Sequence, residues 1–170
     1  DLCIRPMDVA FASLELTNSG VPVCTVIGFP HGTTTTETKV FETQQAIIHG
    51  AREIDMVMNI SALISGDLEY VERDIVAVVS AVRESRLDIP VKVIFETALL
   101  SEEQIITGCR LAEQAGADFV KTSTGFHPEG GATFPAVELM AATVGGRLGV
   151  KAAGGAKKKR ELPPYLRVVK

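Results

Sequence analysis

The chain has 170 residues, 46% of them hydrophobic and 22% charged, the balance of one compact domain rather than a disordered or fibrous polymer. Its net charge of -4 gives no global electrostatic reason to expect nucleic acid or an anionic membrane as partner, and neither a membrane span nor a secretory leader is legible. Cys3, Cys24 and Cys109 form no CxxC pair and His31, His49 and His127 are scattered, so no metal site or disulfide framework is implied, and a small molecule in a cytoplasmic setting is the expected partner.

In chain order, short β-branched runs alternate with longer amphipathic stretches. A short strand is read over 2–5. Val23, Val26 and Ile27 lead into a second strand ending at Phe29, and a helix follows over 36–50, where Val40, Ala46 and Ile47 recur at helical spacing and Gly50 supplies the stop. A strand over 54–59 precedes a helix over 68–83 with Val71, Ile75, Val78, Val79 and Val82 on one face. A strand over 91–96 precedes a helix over 101–115, opened by Ser101 and the acidic Glu102 and Glu103. A strand over 119–123, a helix over 135–144 and a strand over 148–152 complete the pattern.

Apolar strands separated by helices of crossover length mean a parallel sheet covered on both faces. The residues that follow the strands are polar or conformationally special: Pro30, His31 and Gly32, then Asn59, then Glu96 and Thr97, then 122–125, then Gly154 and Gly155. An open doubly wound sheet concentrates its site at one switch point, whereas here every strand tip contributes, which favours an α/β (β/α)-barrel. About six strands are read where a (β/α)8 barrel takes roughly 250 residues. The expectation is therefore an incomplete barrel over 1–155 and an irregular basic C-terminal tail over 156–170.

Asp55, Lys121 and Lys151 place charge in strands where burial normally excludes it. In a barrel, inward-pointing strand residues approach one another across the axis, so two lysines and an aspartate are able to converge. A second ammonium group and an apolar wall both favour a neutral, nucleophilic amine that attacks a carbonyl. The plainer alternative is that both lysines lead their heads out to solvent as ordinary ion pairs with Asp55 or Glu96. The 122–125 stretch and the Gly154 and Gly155 pair offer backbone amides able to cradle a phosphate ester, or simply make turns. Asn59 reads as a cap or a substrate contact, and Glu96 as a partner of Lys92 or another barrel lysine.

Several segments, in this order, resemble the deoxyribose-phosphate aldolases: Val-Cys-Thr-Val-Ile-Gly-Phe-Pro (23–30), Glu-Ile-Asp-Met-Val-Met-Asn (53–59), Lys-Val-Ile-Phe-Glu-Thr (92–97), Gly-Ala-Asp-Phe-Val-Lys-Thr-Ser-Thr-Gly-Phe (116–126) and Gly-Val-Lys-Ala-Ala-Gly-Gly (149–155). Gly-Gly-Ala-Thr (130–133) is similar to the bacterial branch. The resemblance implies a class I aldolase on a TIM barrel, cleaving 2-deoxyribose 5-phosphate reversibly into glyceraldehyde 3-phosphate and acetaldehyde with no metal or organic cofactor. It implies Lys121 as the Schiff-base lysine, Lys151 as a second lysine beside it, Asp55 as an acid that moves protons with Lys151 and a water, and Lys92 in a supporting role. Gly125, Gly154 and Gly155 match positions that hold the phosphate, and Thr124 one near the sugar hydroxyls.

The family has a strand and helix ahead of the segment matching Asp1 and a phosphate loop beyond Gly155, neither of which is read here, and 156–170 does not resemble the family's continuation. Two further readings follow: an inactive or partner-binding remnant whose open edges favour homo-oligomers, or another phosphate-binding barrel lyase or isomerase.

Overall fold

The computed structural model of the chain describes residues 1–154; Gly155 and the tail expected over 156–170 lie outside the described residues. The first strand, β1 (Leu2–Ile4), runs into a 3-10 turn over Pro6–Asp8, where Pro6 pre-sets the backbone angle. Helix α1 (Val9–Glu15) follows, burying only Val9 and Ala12; so thin an apolar stripe explains why periodicity does not reveal it. Strand β2 (Val23–Ile27) leads to α2 (Thr36–Ile48), whose start is fixed by the Thr35 side chain accepting from the Thr38 amide.

Next come β3 (Glu53–Val57) and a short helix, α3 (Ile60–Ser65), which periodicity also misses. Asn59 caps it, its side chain accepting from the Ala62 amide at 3.0 Å, and Gly66 ends it in the left-handed conformation. Of the two readings of Asn59, the cap is the one observed. Helix α4 (Leu68–Glu84) buries the expected valine and isoleucine stripe. Strand β4 (Val91–Ile94), a turn over Thr97–Leu99 and α5 (Glu102–Gln114) follow, the last opened by a reciprocal capping box between Ser101 and Gln104. The described chain closes with β5 (Phe119–Lys121), α6 (Phe134–Val144) and β6 (Gly149–Lys151).

Among the described residues the sheet has six strands in strict chain order, each parallel to its neighbour. A doubly wound sheet reverses direction at a switch point; a row that never reverses is the path of a barrel. The strands expected to reach residues 59, 96 and 123 stop at Val57, Ile94 and Lys121. Their trailing residues keep single cross-strand bonds, such as Thr97 N donating to Thr122 O at 2.9 Å, while the backbone turns at the tips. Among the described residues no ladder joins β1 to β6. Even so, Asp1, next to β1, meets Lys151 of β6 at 3.2 Å, so the row curls until its two ends come within reach of one ion pair.

Alternation along the strands then separates two faces. Ile54, Met56, Val93 and Val120 are buried beneath the helices. The opposite, concave face carries charge. One ion pair outside that face is sealed completely: Lys39 Nζ of α2 lies 2.5 Å from Asp74 Oδ2 of α4, with both side chains 0% exposed. Among the described residues, no helix is long and apolar enough to cross a membrane.

Candidate active site

In-register pairing places Asp55 beside Lys92, Ile94 beside Lys121 and Lys121 beside Lys151. Because paired residues on parallel strands project to the same side, three lysines from adjacent strands converge on one carboxylate. Lys121 Nζ donates to Asp55 Oδ2 at 2.6 Å, and Lys151 Nζ donates to the same oxygen at 3.3 Å. Lys92 Nζ takes the other oxygen, Oδ1, at 2.8 Å and also reaches Glu53 Oε2 at 2.5 Å. Asp1 completes the group through Lys151. The sequence thus anticipates which residues meet. It misses Glu53 and Cys24, whose only visible signal was their place on the inward side of the alternation; Cys24 Sγ donates to Asp55 Oδ1 at 3.2 Å.

Burial opposes ionisation of Asp55, but the ammonium groups of Lys121 and Lys92, and then Lys151, outweigh it and hold its carboxyl well below the usual carboxylate range. Burial likewise opposes the charge on Lys92, and the Asp55 and Glu53 carboxylates raise it above the ordinary lysine range. Lys121 is 6% exposed, so it does not lead its head out to bulk water. Its nearest charged neighbour is a carboxylate rather than the second ammonium group: Lys121 and Lys151 meet through Asp55 Oδ2.

Lys121 opens onto a cavity of about 420 Å³, whose wall includes Cys3, Arg5, Phe29, Thr124 and Phe126. The Phe29 and Phe126 rings cross edge to face at 5.2 Å and bridge two strand tips at its mouth. A neighbouring cavity of about 280 Å³ on the other side of Thr124 and Phe126 includes His31, Glu96 and His127. The expected partnership of Glu96 with Lys92 does not form. Glu96 lies beyond the end of β4 with φ 56 and ψ 63, a left-handed turn after which its carboxylate meets Thr124 and not Lys92. It accepts instead from the Thr124 amide at 3.2 Å and from the Thr124 hydroxyl. Its other oxygen, and the Ser123 hydroxyl nearby, are buried without a hydrogen-bond partner in the described structure.

The 122–125 stretch is not a free cradle along its whole length. The Thr122 amide donates to Lys151 O and the Thr124 amide to Glu96, because these residues tie neighbouring strand tips together. Gly125 and Gly154 are placed differently: both have positive φ, and a Cβ on Gly154 would lie 3.1 Å from the Cα atoms of Gly125 and Gly131. Three side-chain-free segments therefore meet at the tips of β5 and β6. Gly131, which residue pattern alone does not single out, is held there by Ala132, whose amide donates to Ala153 O and Gly154 O at 3.0 and 2.9 Å. Gly155, the third expected phosphate contact, lies outside the described residues.

Comparison with known proteins gives this arrangement a setting. The family model described as DeoC/LacD family aldolase matches residues 3–169. A deoxyribose-phosphate aldolase 2 of Bacillus licheniformis is 54% identical over 161 residues, covering 95% of this chain and 70% of its own length. Among solved structures, QR15, an aldolase, superposes with a TM-score of 0.83 at 40% identity over 90% of this chain and 66% of its own. A tetrameric deoxyribose phosphate aldolase from Aeropyrum pernix gives 0.84 at 31% identity, covering 94% and 65%. The chain thus spans slightly less than two thirds of these two solved structures.

Proposed function

The chain belongs to the DeoC/LacD family of aldolases, and we propose that it carries the deoxyribose-phosphate branch's reaction, with Lys121 as the amine that bonds to the aldehyde. The observation that carries this reading is Lys121 Nζ, buried, sharing Asp55 Oδ2 with Lys151 and opening onto a cavity. In this reading the Lys121 amine adds to the aldehyde carbon of open-chain 2-deoxyribose 5-phosphate, and loss of water leaves a protonated imine. That imine is an electron sink. A base takes the proton of the C3 hydroxyl, the C2–C3 bond breaks, glyceraldehyde 3-phosphate leaves, and the electron pair is held as an enamine. Protonation at C2 and hydrolysis then release acetaldehyde and restore Lys121.

Asp55 and Lys151 are assigned to move protons during imine formation and hydrolysis, since Asp55 Oδ2 accepts from both Lys121 and Lys151. Lys92 is assigned a supporting role: paired with Glu53 and Asp55, it keeps Asp55 ionised and oriented. Thr124, on the cavity wall, is assigned to the sugar hydroxyls, and the amides of Gly125, Gly154 and Gly155 to the phosphate. No residue in this scheme calls for a metal or organic cofactor.

The shared name of the relatives favours this reading over an isomerase or an unrelated lyase. The reading includes a cytoplasmic setting, where the free Cys24 and Cys109 thiols persist, and association into homo-oligomers, supported by the exposed Met7, Phe11 and Leu14 on one side of the first helical segment. Acetaldehyde followed by borohydride is expected to leave a two-carbon increment on Lys121, absent in Lys121→Ala. A folded sample that acquires no adduct would defeat the proposal.

A further inference from the structure

The mechanism above leaves a pair of thiols unused on the wall of the lysine cluster. Cys3 and Cys24 are register partners on the adjacent strands β1 and β2. The two sulfurs and a carboxylate oxygen of Asp55 all lie within 4.8 Å of one another. Neighbouring parallel strands run roughly 4.8 Å apart, inside the window of about 4.4–6.8 Å between Cα atoms that a disulfide accepts. Two thiols and a carboxylate are also a donor set for a soft cation. Here, however, Asp55 already holds three ammonium groups and Lys92 Nζ lies 3.8 Å from Cys24 Sγ, so an added cation would enter a crowd of positive charge.

We propose that Cys3 and Cys24 are an oxidative modification site, closing to a reversible disulfide under peroxide and thereby shutting down imine formation at Lys121. The formation of the bond stands on geometry alone; the effect on Lys121 rests on the function proposed above. Cys3 is the entry point because it is exposed. The adjacent Cys24 thiol, with help from the Lys121 and Lys151 charges, lowers its thiol to about 7 against burial and the Asp55 carboxylate, giving a thiolate near neutral pH. That thiolate attacks one oxygen of hydrogen peroxide; an S–O bond forms, the O–O bond breaks, and hydroxide leaves to be protonated by solvent. The Cys24 sulfur then attacks the Cys3 sulfenic sulfur; the S–S bond forms, the S–O bond breaks, and the departing hydroxide leaves as water with the Cys24 proton. Two thiols lose two electrons and one peroxide becomes two waters.

The consequence for the cluster is direct. To reach Cys3, the Cys24 sulfur gives up the S–H that it donates to Asp55 Oδ1, and the new bond pins β1 to β2 beside the cavity that Lys121 faces. Cys109 serves as an internal control: burial raises its thiol, to about 12, as the Cys3 contact and burial raise that of Cys24, but Cys109 lies on α5 and not in the strand register that sets Cys24 beside the exposed Cys3, so it stays reduced.

Peroxide titration of the full chain, followed by peptide mapping without reductant, is expected to yield one linked pair of peptides joining Cys3 to Cys24, two hydrogens lighter than the free pair. Borohydride trapping at Lys121 is expected to fall by about tenfold or more, the scale of losing one hydrogen bond to a charged group, and dithiothreitol restores both. Cys24→Ser keeps a hydroxyl near Asp55; under peroxide it is expected to give a dimedone-reactive sulfenic acid at Cys3 and no linked peptide. Free Cys3 and Cys24, or only links between chains, in a folded oxidised sample overturn the proposal. A linked peptide with unchanged trapping overturns the switch. A linked peptide with no trapping in either redox state overturns the aldolase reading and the switch with it, leaving the bond itself in place.

Discussion

Two buried lysines in this molecule, Lys39 and Lys121, look alike by burial and differ in everything that decides their use. Lys39 is paired one to one with Asp74, donates again to Val57 O at 3.0 Å, and its partner's second oxygen is filled by the Thr36 hydroxyl at 2.8 Å. Nothing is open. Lys121 shares its carboxylate with Lys92 and Lys151 and faces a cavity. If Lys39 lost its charge, Asp74 would be left with a single hydroxyl in a dry interior; if Lys121 did, Asp55 would still hold two ammonium groups. An exclusive, sealed pair organises helices, whereas a shared carboxylate beside open space lets one member change its bonding without stranding the others.

The sharpest way to break this comparison is to remove each lysine in turn. Lys121→Ala is expected to drop aldolase turnover and borohydride trapping to background while the denaturation midpoint moves little, because Asp55 keeps Lys92 and Lys151. Lys39→Ala is expected to do the reverse. It leaves Asp74 buried and uncompensated, a loss of about 3–5 kcal/mol, while trapping per folded molecule persists. Chemical denaturation paired with trapping on the same samples checks both, and equal loss of stability in the two variants would erase the distinction.

Asp55→Asn attacks the shared centre itself. A neutral amide removes the charge that Lys121 and Lys92 both pair with and leaves one of the two facing an NH2 group in place of an acceptor oxygen, so the rate of imine formation is expected to fall by about 10²–10⁴-fold, the range for a positioned proton-transfer group, as read by single-turnover kinetics. Glu96→Gln tests a more distant support. It weakens the paired acceptance from the Thr124 amide and hydroxyl and is expected to raise KM more than it lowers kcat. The scale is about 1.5–3 kcal/mol, that of hydrogen bonds to a charged group; a kcat loss with KM unchanged would instead place Glu96 in the chemistry.

The same contrast explains what sequence reading reaches. Charged residues inside apolar strands are conspicuous, so Asp55, Lys121 and Lys151 stand out by residue type and position alone, and strict parallel alternation carries the barrel path. Lys39 and Asp74 do not stand out, because a charged residue on a helix ordinarily faces water and nothing local marks the exception. Helix α1 escapes for the opposite reason: Phe11 and Leu14 are exposed, as is Met7 in the turn before it, while Val9 and Ala12 are buried, so its apolar residues do not report the packed side. Glu96 is legible as a strand-tip acid, but its partner is not. The left-handed φ of 56 at Glu96 turns the carboxylate toward Thr124, and no rule of residue type predicts that turn in a non-glycine residue.

The smallest expected effect is the most diagnostic of charge sharing, because it turns on the pH dependence of stability. Asp55 is held below its ordinary value near 3.8 by the three lysines, so its contribution is fully present above that value and is lost as pH falls through the lowered one. Lys92 is held above its ordinary value near 10.5 by Asp55 and Glu53, so its contribution is fully present below that value and is lost as pH rises through the raised one. Between about pH 5 and about pH 10 neither group changes its proton occupancy on unfolding, and their joint contribution to the stability curve is level. Urea unfolding across this span, in the Cys3→Ser chain and in its Asp55→Asn derivative, isolates the contribution as a difference free of the Cys3 thiol, which is lowered to about 7. That difference is expected to be constant through the window and to shrink only below it, as pH falls past about 3.8, where the parent loses what the variant never had. A difference that already slopes between about pH 6 and about pH 8 would mean that a group titrating near neutrality governs the cluster, and the shared carboxylate would no longer be its organising charge.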